Sequence, residues 1–323
     1  MNKVEKKFAC ALCGSFKHKI LRAKIRFGIE RPVLICLSCG LQFLKSVPQS
    51  LRDFYKGDYR KKYTPVLGRS VSSKEMFDIY FPYQEARIND FRHLLNKKTK
   101  LLDVGCSSGA FLAAVKPYVK SVVGNEFNTK DASFVRKTLK IPVYTSPLGE
   151  NPIKAPSFDL ITAFQVLEHI DKPVEFLRTI GKYLKKNGRI IIEVPNVNDW
   201  LISVFDTPSY RDFYYREVHL FYYTPQTLLK MMKKAGFEGK VISSGLNSNF
   251  INQLNWILSG KPQENAHMMY GKNVLHFGKM APPKLKRDIA LWFGKIDDEY
   301  KKLVARNLIG RSITFIGKLS NDK

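Results

Sequence analysis

The sequence predicts an α/β fold: a largely parallel sheet with helices on both faces, preceded by a small cysteine-bearing module. Three observations lead to it. Short apolar runs that end in an acid or a glycine pass into helical patterns, first at residues 100–115 (KLLDVGCSSG, then AFLAAV) and again at 157–169 (SFDLITAFQVLEH). Four of the five cysteines stand as two C-x-x-C pairs near the N-terminus. The length, 323 residues, suits one sizeable α/β domain with a small appendage.

Composition narrows the class. With 44% hydrophobic and 25% charged residues, wholesale disorder is excluded. No apolar run approaches the roughly 18 residues of a transmembrane segment. The opening MNKVEKKFAC lacks the apolar core of a signal peptide, so the expected location is cytoplasmic. A formal net charge of +26 and a pI near 9.8 suggest an anionic partner: nucleic acid, a nucleotide- or pyrophosphate-linked substrate, or peripheral contact with an acidic membrane surface. The basic residues are dispersed, with short clusters at Arg60-Lys61-Lys62 and at 284–287, which suits a solvated lysine-rich surface equally well.

Taking the elements in order, Cys10 and Cys13, then Cys36 and Cys39, supply the four thiolates of a closed tetrahedral zinc site. Gly14 and Gly40 follow the pairs and suit the tight turns of zinc knuckles, where backbone amides point at sulfur. Residues 19–27 and 33–35 read as a short hairpin between them, so residues 1–47 form a zinc-ribbon-like module. A reducing cytoplasm disfavours disulfides, and a redox C-x-x-C needs no second copy. A closed site leaves no open position, which makes the Zn2+ structural. A polar, tyrosine-rich connector (48–74) leads to the catalytic domain (75–323). That domain begins with a helix over 75–96, whose apolar positions Ile79, Tyr83, Ile88, Phe91 and Leu95 recur at helical spacing.

The turn after the first strand, D-V-G-C-S-S-G over 103–109, brings backbone N–H groups and a helix N-terminus toward a ligand. Gly105 and Gly109 read as positions where a side chain would occupy the ligand's space. The strand at 121–127 (SVVGNEF) ends in Glu126, about 20 residues after the turn. An acid at that distance accepts hydrogen bonds from both hydroxyls of a ribose; the competing reading is a carboxylate that caps the next helix. A strand enters a helix at 157–169, a turn and strand follow at 186–196 (KNGRIIIEVPN), and HLFYYT at 219–224 leads into a helix at 225–235. Thr224 is its N-cap, Pro225 its first residue and Gly236 its stop.

These ordered motifs resemble the class I S-adenosylmethionine-dependent methyltransferases, whose first motif is D/E-x-G-x-G-x-G and whose fourth ends in LEH. The resemblance covers residues 100–241, with Ser107 where a glycine is common. It implies a Rossmann-like seven-stranded sheet and S-adenosylmethionine as cofactor. By the same resemblance, Asp103 lies near the methionine end of the cofactor, Gly105, Cys106, Ser107 and Gly109 wrap it, and Phe164 and Gln165 lie alongside. The whole arrangement, zinc pairs included, resembles methyltransferases acting on sugars in nucleotide-sugar or surface-polysaccharide pathways.

Residues 312–319 (SITFIGKL) read as a closing strand, antiparallel beside the strand near 240–243. The stretch between, about 246–310, is an insertion too long for a plain loop. Its segment 284–306 is amphipathic and basic, with Ile289, Trp292, Phe293 and Ile296 as an apolar patch: a lid, a membrane-surface helix, or a helix packed on the sheet. For chemistry, an oxygen acceptor needs its proton removed, and His169 and His219 are the candidate catalytic bases. Tyr214, Tyr215, Tyr222 and Tyr223 around His219 suggest a sugar-facing surface. Glu168, adjacent to His169 on a helix, is expected to face away from it. Cys106 is expected to pack rather than react. The leading acceptor is a small hydroxylated molecule, free or carrier-linked, in surface-polysaccharide or natural-product biosynthesis. An RNA acceptor gripped by the module, through Lys17, Lys19, Arg22, Lys24 and Arg26, is the alternative, and a cofactor-binding protein without catalysis is the third reading. The glycine spacing disfavours a nicotinamide dehydrogenase.

Overall fold

The computed structural model describes residues 8–45, 69–261, 275 and 277–320. Most of the expected connector, and all of Arg60-Lys61-Lys62, lie outside the described residues. Near the N-terminus β1 (His18–Lys24) and β2 (Glu30–Cys36) form an antiparallel hairpin, and β3 (Gln42–Leu44) pairs with β2.

The expected helix over 75–96 is broken. A capping box, Ser72 with Glu75, starts α1 (Ser73–Tyr80), and a tighter turn at Phe81–Tyr83 separates it from α2 (Gln84–Asn89). Pro82 supplies no amide hydrogen, which interrupts the α-helical ladder at that point. A second short turn, Arg92–Leu94, brings the chain to the sheet. Ile79, Ile88 and Phe91 are buried all the same, so the apolar spacing marked the right face of an interrupted element.

The main domain then alternates strands and helices. β4 (Lys100–Val104), α3 (Ala110–Val115), β5 (Ser121–Asn125), α4 (Thr129–Thr138) and β6 (Val143–Tyr144) build one half. β7 (Phe158–Phe164), α5 (Pro173–Gly181), β8 (Leu184–Pro195), α6 (Trp200–Ser203), α7 (Pro208–Tyr214), β9 (Phe221–Tyr222) and α8 (Pro225–Lys234) follow. β10 (Phe237–Ser243), α9 (Phe250–Ser259), α10 (Pro283–Asn307) and β11 (Ser312–Leu319) complete the described chain. The expected helix directly after the strand at 157–164 is a three-residue turn, Leu167–His169, and α5 begins only at Pro173.

Seven strands form one sheet in the order β10-β11-β8-β7-β4-β5-β6, parallel except where β11 runs antiparallel to both neighbours. This is the Rossmann-like sheet expected, including the antiparallel closing strand. Its strands are buried on both faces: Leu101, Leu160 and Ile191 pack with residues of α2, α3 and α4, whereas Leu102, Ile161 and Ile192 pack with α5 and α8. The strand order turns at β4, with β5 and β6 on one side and β7 and β8 on the other. Such a switch opens a crevice at the C-terminal ends of the strands.

A second sheet, β1-β2-β3-β9, joins the cysteine-bearing hairpin to the main domain through Gln42↔Tyr222 and Phe43↔Phe221. Of the insertion, α10 packs against α9 and β10. The Asp297 carboxylate accepts the Phe250 N–H at 2.7 Å, and Tyr300 lies with its ring 4.7 Å from that of Trp200. Trp292 stays 58% exposed. Among the described residues no helix is long and apolar enough to cross a membrane.

Candidate functional site

The glycine turn sits at the switch point. Gly105 (φ +74°), Ser107 (φ +48°) and Gly109 (φ +76°) all adopt left-handed backbone. A Cβ on Gly105 would meet Val166 at 2.5 Å, and one on Gly109 would meet Val135 at 2.8 Å. The two glycines therefore relieve clashes inside the fold, which corrects the expectation that side chains there would fill ligand space. Ser107 holds a conformation that costs a residue with a Cβ about 1–2 kcal/mol, and such strain gathers at functional sites. Its backbone N–H donates to Glu126 Oε2 at 2.8 Å, while Glu126 Oε1 accepts from Asn128 N–H at 2.7 Å. The cap of α4 is Asn128, whose side chain accepts from Lys130 and Asp131. Glu126 thus bridges the glycine turn to the start of α4 and is not that helix's cap.

Asp103 ends β4 almost fully buried, and Thr162 donates its hydroxyl to it at 2.7 Å. Burial pushes its carboxyl up to about 7; Glu126 adds to the shift, and Thr162 and Arg87 oppose it. Cys106 is buried, with its thiol raised well above the usual range by burial. A Cβ on Gly124 would lie 2.6 Å from its sulfur. The side chain packs into the core, so of Cys106 only the backbone borders the turn.

At the end of β7, Phe164 sits edge-on to Phe111 at 4.7 Å and beneath the Arg87 guanidinium at 4.4 Å. Gln165 is the next left-handed residue (φ +57°). Its side-chain amide donates to Glu193 Oε1 at 3.0 Å and to Ser312 Oγ at 3.3 Å. Glu193 is fully buried and takes two hydrogen bonds from Arg87, at 2.9 and 3.2 Å, and one from Ser244 at 2.7 Å. Burial raises the Glu193 carboxyl, but the Arg87 charge and these donors outweigh it and hold it below its usual value. Sequence reasoning missed this network: Arg87 reads as one more cation on a helix, and nothing local links it to a strand 106 residues away.

Glu168, His169 and His219 come together beside it. Each offers an oxygen or nitrogen atom, and these atoms lie within 4.8 Å of one another. Glu168 is 1% exposed, and neither carboxylate oxygen has a hydrogen-bond partner among the described residues. Burial pushes its carboxyl up to about 8, with Glu193 adding to the shift. His169 Nδ1 is 2.8 Å from the Val218 carbonyl, and Nε2 is 3.7 Å from Glu168 Oε1. Burial lowers His169 to about 4 and His219 well below its usual value, so both rings are neutral. The rings stand edge-to-face at 4.9 Å, and the buried His219 Nδ1 has no hydrogen-bond partner among the described residues. Glu168 and His169 were expected to face apart. They meet because the segment is a single short turn, entered from Val166 at φ −120° and left by extended Ile170, not an α-helix.

The tyrosines near His219 are not a surface. Tyr214, Tyr215, Tyr222 and Tyr223 are all buried. Tyr215 donates its hydroxyl to Gln42 at 2.8 Å, and the Tyr222 hydroxyl donates to the Arg216 carbonyl at 2.9 Å. The Tyr215 hydroxyl fastens the cysteine-bearing hairpin to the main domain, while the Tyr222 hydroxyl ties its own segment together. Further ties are Arg26 N–H to the Tyr215 carbonyl at 2.7 Å, Arg22 to Asp212 at 2.5 Å, and Lys234 to the Leu12 carbonyl at 2.7 Å.

The four paired cysteines gather as their spacing predicts. Cys10 and Cys39 sulfurs are 3.6 Å apart and those of Cys13 and Cys36 are 3.5 Å apart, with all four within 4.8 Å. A tetrahedral zinc with bonds of about 2.3 Å sets its sulfurs about 3.8 Å apart, close to the spacing of these two pairs. None of these cysteines is in a disulfide. Burial raises the Cys36 thiol, but the backbone amides of Ser38 and Cys39 bring it down to about 7, the amide-to-sulfur contact expected of a knuckle.

A protein-family model described as a methyltransferase domain matches residues 79–242, half of the chain. The chain belongs to this methyltransferase family. It carries a methyltransferase domain, and proteins similar to it are named as S-adenosylmethionine-dependent methyltransferases. It is 25% identical over 167 residues to the mitochondrial ubiquinone biosynthesis O-methyltransferase of Schizosaccharomyces pombe, across 50% of this chain and 56% of that one. A Mycobacterium tuberculosis protein named for S-adenosylmethionine-dependent methyl transfer is 25% identical over 97 residues, 30% of this chain and 35% of its own length. The chain thus spans about half or less of these relatives. Among solved structures, a chain from the complex between the Haloferax volcanii Trm112 methyltransferase activator and a methyltransferase superposes with a TM-score of 0.52 at 12% identity. The superposition covers 85% of this chain and 100% of that one, a likeness of fold.

Proposed function

We propose that this methyltransferase acts on a hydroxyl of a small molecule, a sugar or similar compound, free or linked to a nucleotide or lipid pyrophosphate. The pathway class we assign is surface-polysaccharide or natural-product biosynthesis. The observation that carries the reading is the buried Glu168, His169 and His219 cluster beside the switch point. An enclosed set of two imidazoles and a carboxylate can accept the hydrogen bond of one positioned hydroxyl and so take up its proton. The relatives named as O-methyltransferases support an oxygen acceptor.

The donor set fits S-adenosylmethionine, which has a cationic methionine end and a ribose diol. In this reading Asp103 faces the cationic end and Glu126 takes the ribose hydroxyls. The backbone of Gly105, Cys106, Ser107 and Gly109 wraps the cofactor, with Phe164 and Gln165 alongside. The bound cofactor supplies an electrophilic methyl group. The chain's own part is to align the acceptor in line with it and to remove the acceptor's proton through His169 and His219. The Val218 carbonyl accepts the His169 Nδ1 proton, which leaves the Nε2 lone pair toward the cluster. The four paired cysteines hold a structural zinc.

The RNA alternative has less support. Of the cations that would grip phosphates, Arg22 is paired with Asp212 and Arg26 lies over the Phe213 ring at 4.0 Å, so both serve to dock the hairpin. The test supplies methyl-labelled S-adenosylmethionine with nucleotide-linked sugars and, separately, with total RNA. Label in the nuclease-resistant sugar fraction is expected. Label released only by ribonuclease would overturn the proposal.

A further inference from the structure

We propose that Glu168, His169 and His219 together hold a divalent transition-metal ion, at a site separate from the cysteine cluster. Two imidazoles and one carboxylate form a donor set that suits such ions and leaves coordination positions open. The geometry is close to that of a loaded site. Ligands about 2.1 Å from one ion stand roughly 3.0–3.5 Å apart. Here Glu168 Oε1 and His169 Nε2 are 3.7 Å apart, and the widest of the three separations is at most 4.8 Å.

The second observation is what the cluster lacks. Both Glu168 oxygens and His219 Nδ1 are buried with no hydrogen-bond partner among the described residues. Unsatisfied polar atoms of this kind each cost about 1–3 kcal/mol and call for a ligand. A cation satisfies them together. His169 is already oriented as a metal ligand: its Nδ1–H is held by the Val218 carbonyl, the usual support that fixes tautomer and ring direction. Glu168 is steadied through its backbone, since its carbonyl accepts the Leu220 N–H at 2.7 Å.

The role of the ion rests on the acceptor reading proposed above. An acceptor hydroxyl at an open position becomes more acidic and loses its proton to solvent. The oxygen–carbon bond then forms as the sulfonium–carbon bond breaks, leaving S-adenosylhomocysteine. With the ion bound, the two histidines would assist deprotonation as ligands, in place of the direct proton uptake proposed above.

The test uses the full chain, stripped with chelator and titrated with Co2+. Wild type is expected to take about two equivalents. One carries the intense thiolate absorption of the cysteine site, and the other shows only the weak bands of nitrogen and oxygen ligands. The double variant Glu168→Gln/His219→Gln is expected to retain only the thiolate-bound equivalent. Saturation of wild type at one equivalent, all thiolate-bound, overturns the site whether or not the variant folds, as does an unchanged second equivalent in a folded variant. Binding of the second ion with no effect on methyl transfer would keep the site and remove its acceptor role.

Discussion

The Arg87–Glu193 pair offers the sharpest test of how the crevice is held. Arg87→Met keeps the aliphatic bulk but removes two hydrogen bonds, at 2.9 and 3.2 Å, from a fully buried carboxylate. Glu193 would keep the donors of Ser244 and Gln165 and lose its counter-charge. Breaking one side of a buried pair costs about 3–5 kcal/mol, because the orphaned charge stays out of water. The guanidinium contact with Phe164 adds about 0.5–2 kcal/mol. Two donors remain, so we expect a loss of about 3–4 kcal/mol in urea unfolding near neutral pH, with the slope unchanged. The pH dependence follows from the sign of the shift. In wild type the folded carboxyl is held below its usual value, so its stabilising contribution is present above the ordinary carboxylate range and is lost as pH falls through the folded value. In Arg87→Met the carboxyl titrates higher, the folded variant takes up a proton more readily, and its deficit shrinks as pH falls. Adding Glu193→Gln should recover much of the loss. A deficit below about 1 kcal/mol, or one independent of pH, would refute the reasoning.

Three further outcomes are expected. Gly109→Ala places a Cβ 2.8 Å from Val135 and 3.0 Å from Leu139 at φ +76°, and should lower stability by about 1–3 kcal/mol in thermal unfolding. Asp103 is raised to about 7, so its ionisation destabilises the fold as pH rises from about 4 to about 7; Asp103→Asn should gain on wild type across that window in unfolding titrations and run parallel above it. Cys36→Ser should lose zinc by metal analysis and open residues 8–45 to limited proteolysis, and full zinc retention would contradict the four-thiolate site.

What the sequence made legible was local or periodic. Short apolar runs that end in an acid or a glycine before helical patterns exposed the sheet, and four ordered motifs pointed to its crevice. The closing strand at 312–319 could be read because β-rich residues stood at the distance the fold requires. Three kinds of feature were hidden. Backbone sign was one: Gln165 and Ser107 give no sign of positive φ, yet both border the crevice. Long-range pairing was another, since β9 is only two residues long and its partner β3 lies far earlier in the chain. The third was burial of polar groups. Tyrosines near a histidine suggested a sugar surface, whereas apolar docking of the hairpin buries all four and leaves only the Tyr215 and Tyr222 hydroxyls hydrogen-bonded among the described residues.

The continuity of the second sheet bears on what the cysteine cluster is for. Leu44 N–H donates to the Leu220 carbonyl at 3.0 Å, and Leu220 N–H donates to the Glu168 carbonyl at 2.7 Å. One ladder therefore runs from β3, which follows the second cysteine pair by a few residues, to the backbone between His219 and Glu168. A tethered substrate grip would need no such path, and its cations would face outward, whereas Arg22 and Arg26 are spent on docking. On the proposal that the four cysteines hold zinc, the ion would brace β2 and β3, and β3 pairs with β9 beside Leu220 and His219. On the same proposal the module would border the acceptor end, and its metal would act there through strand geometry rather than through contact with a reacting atom.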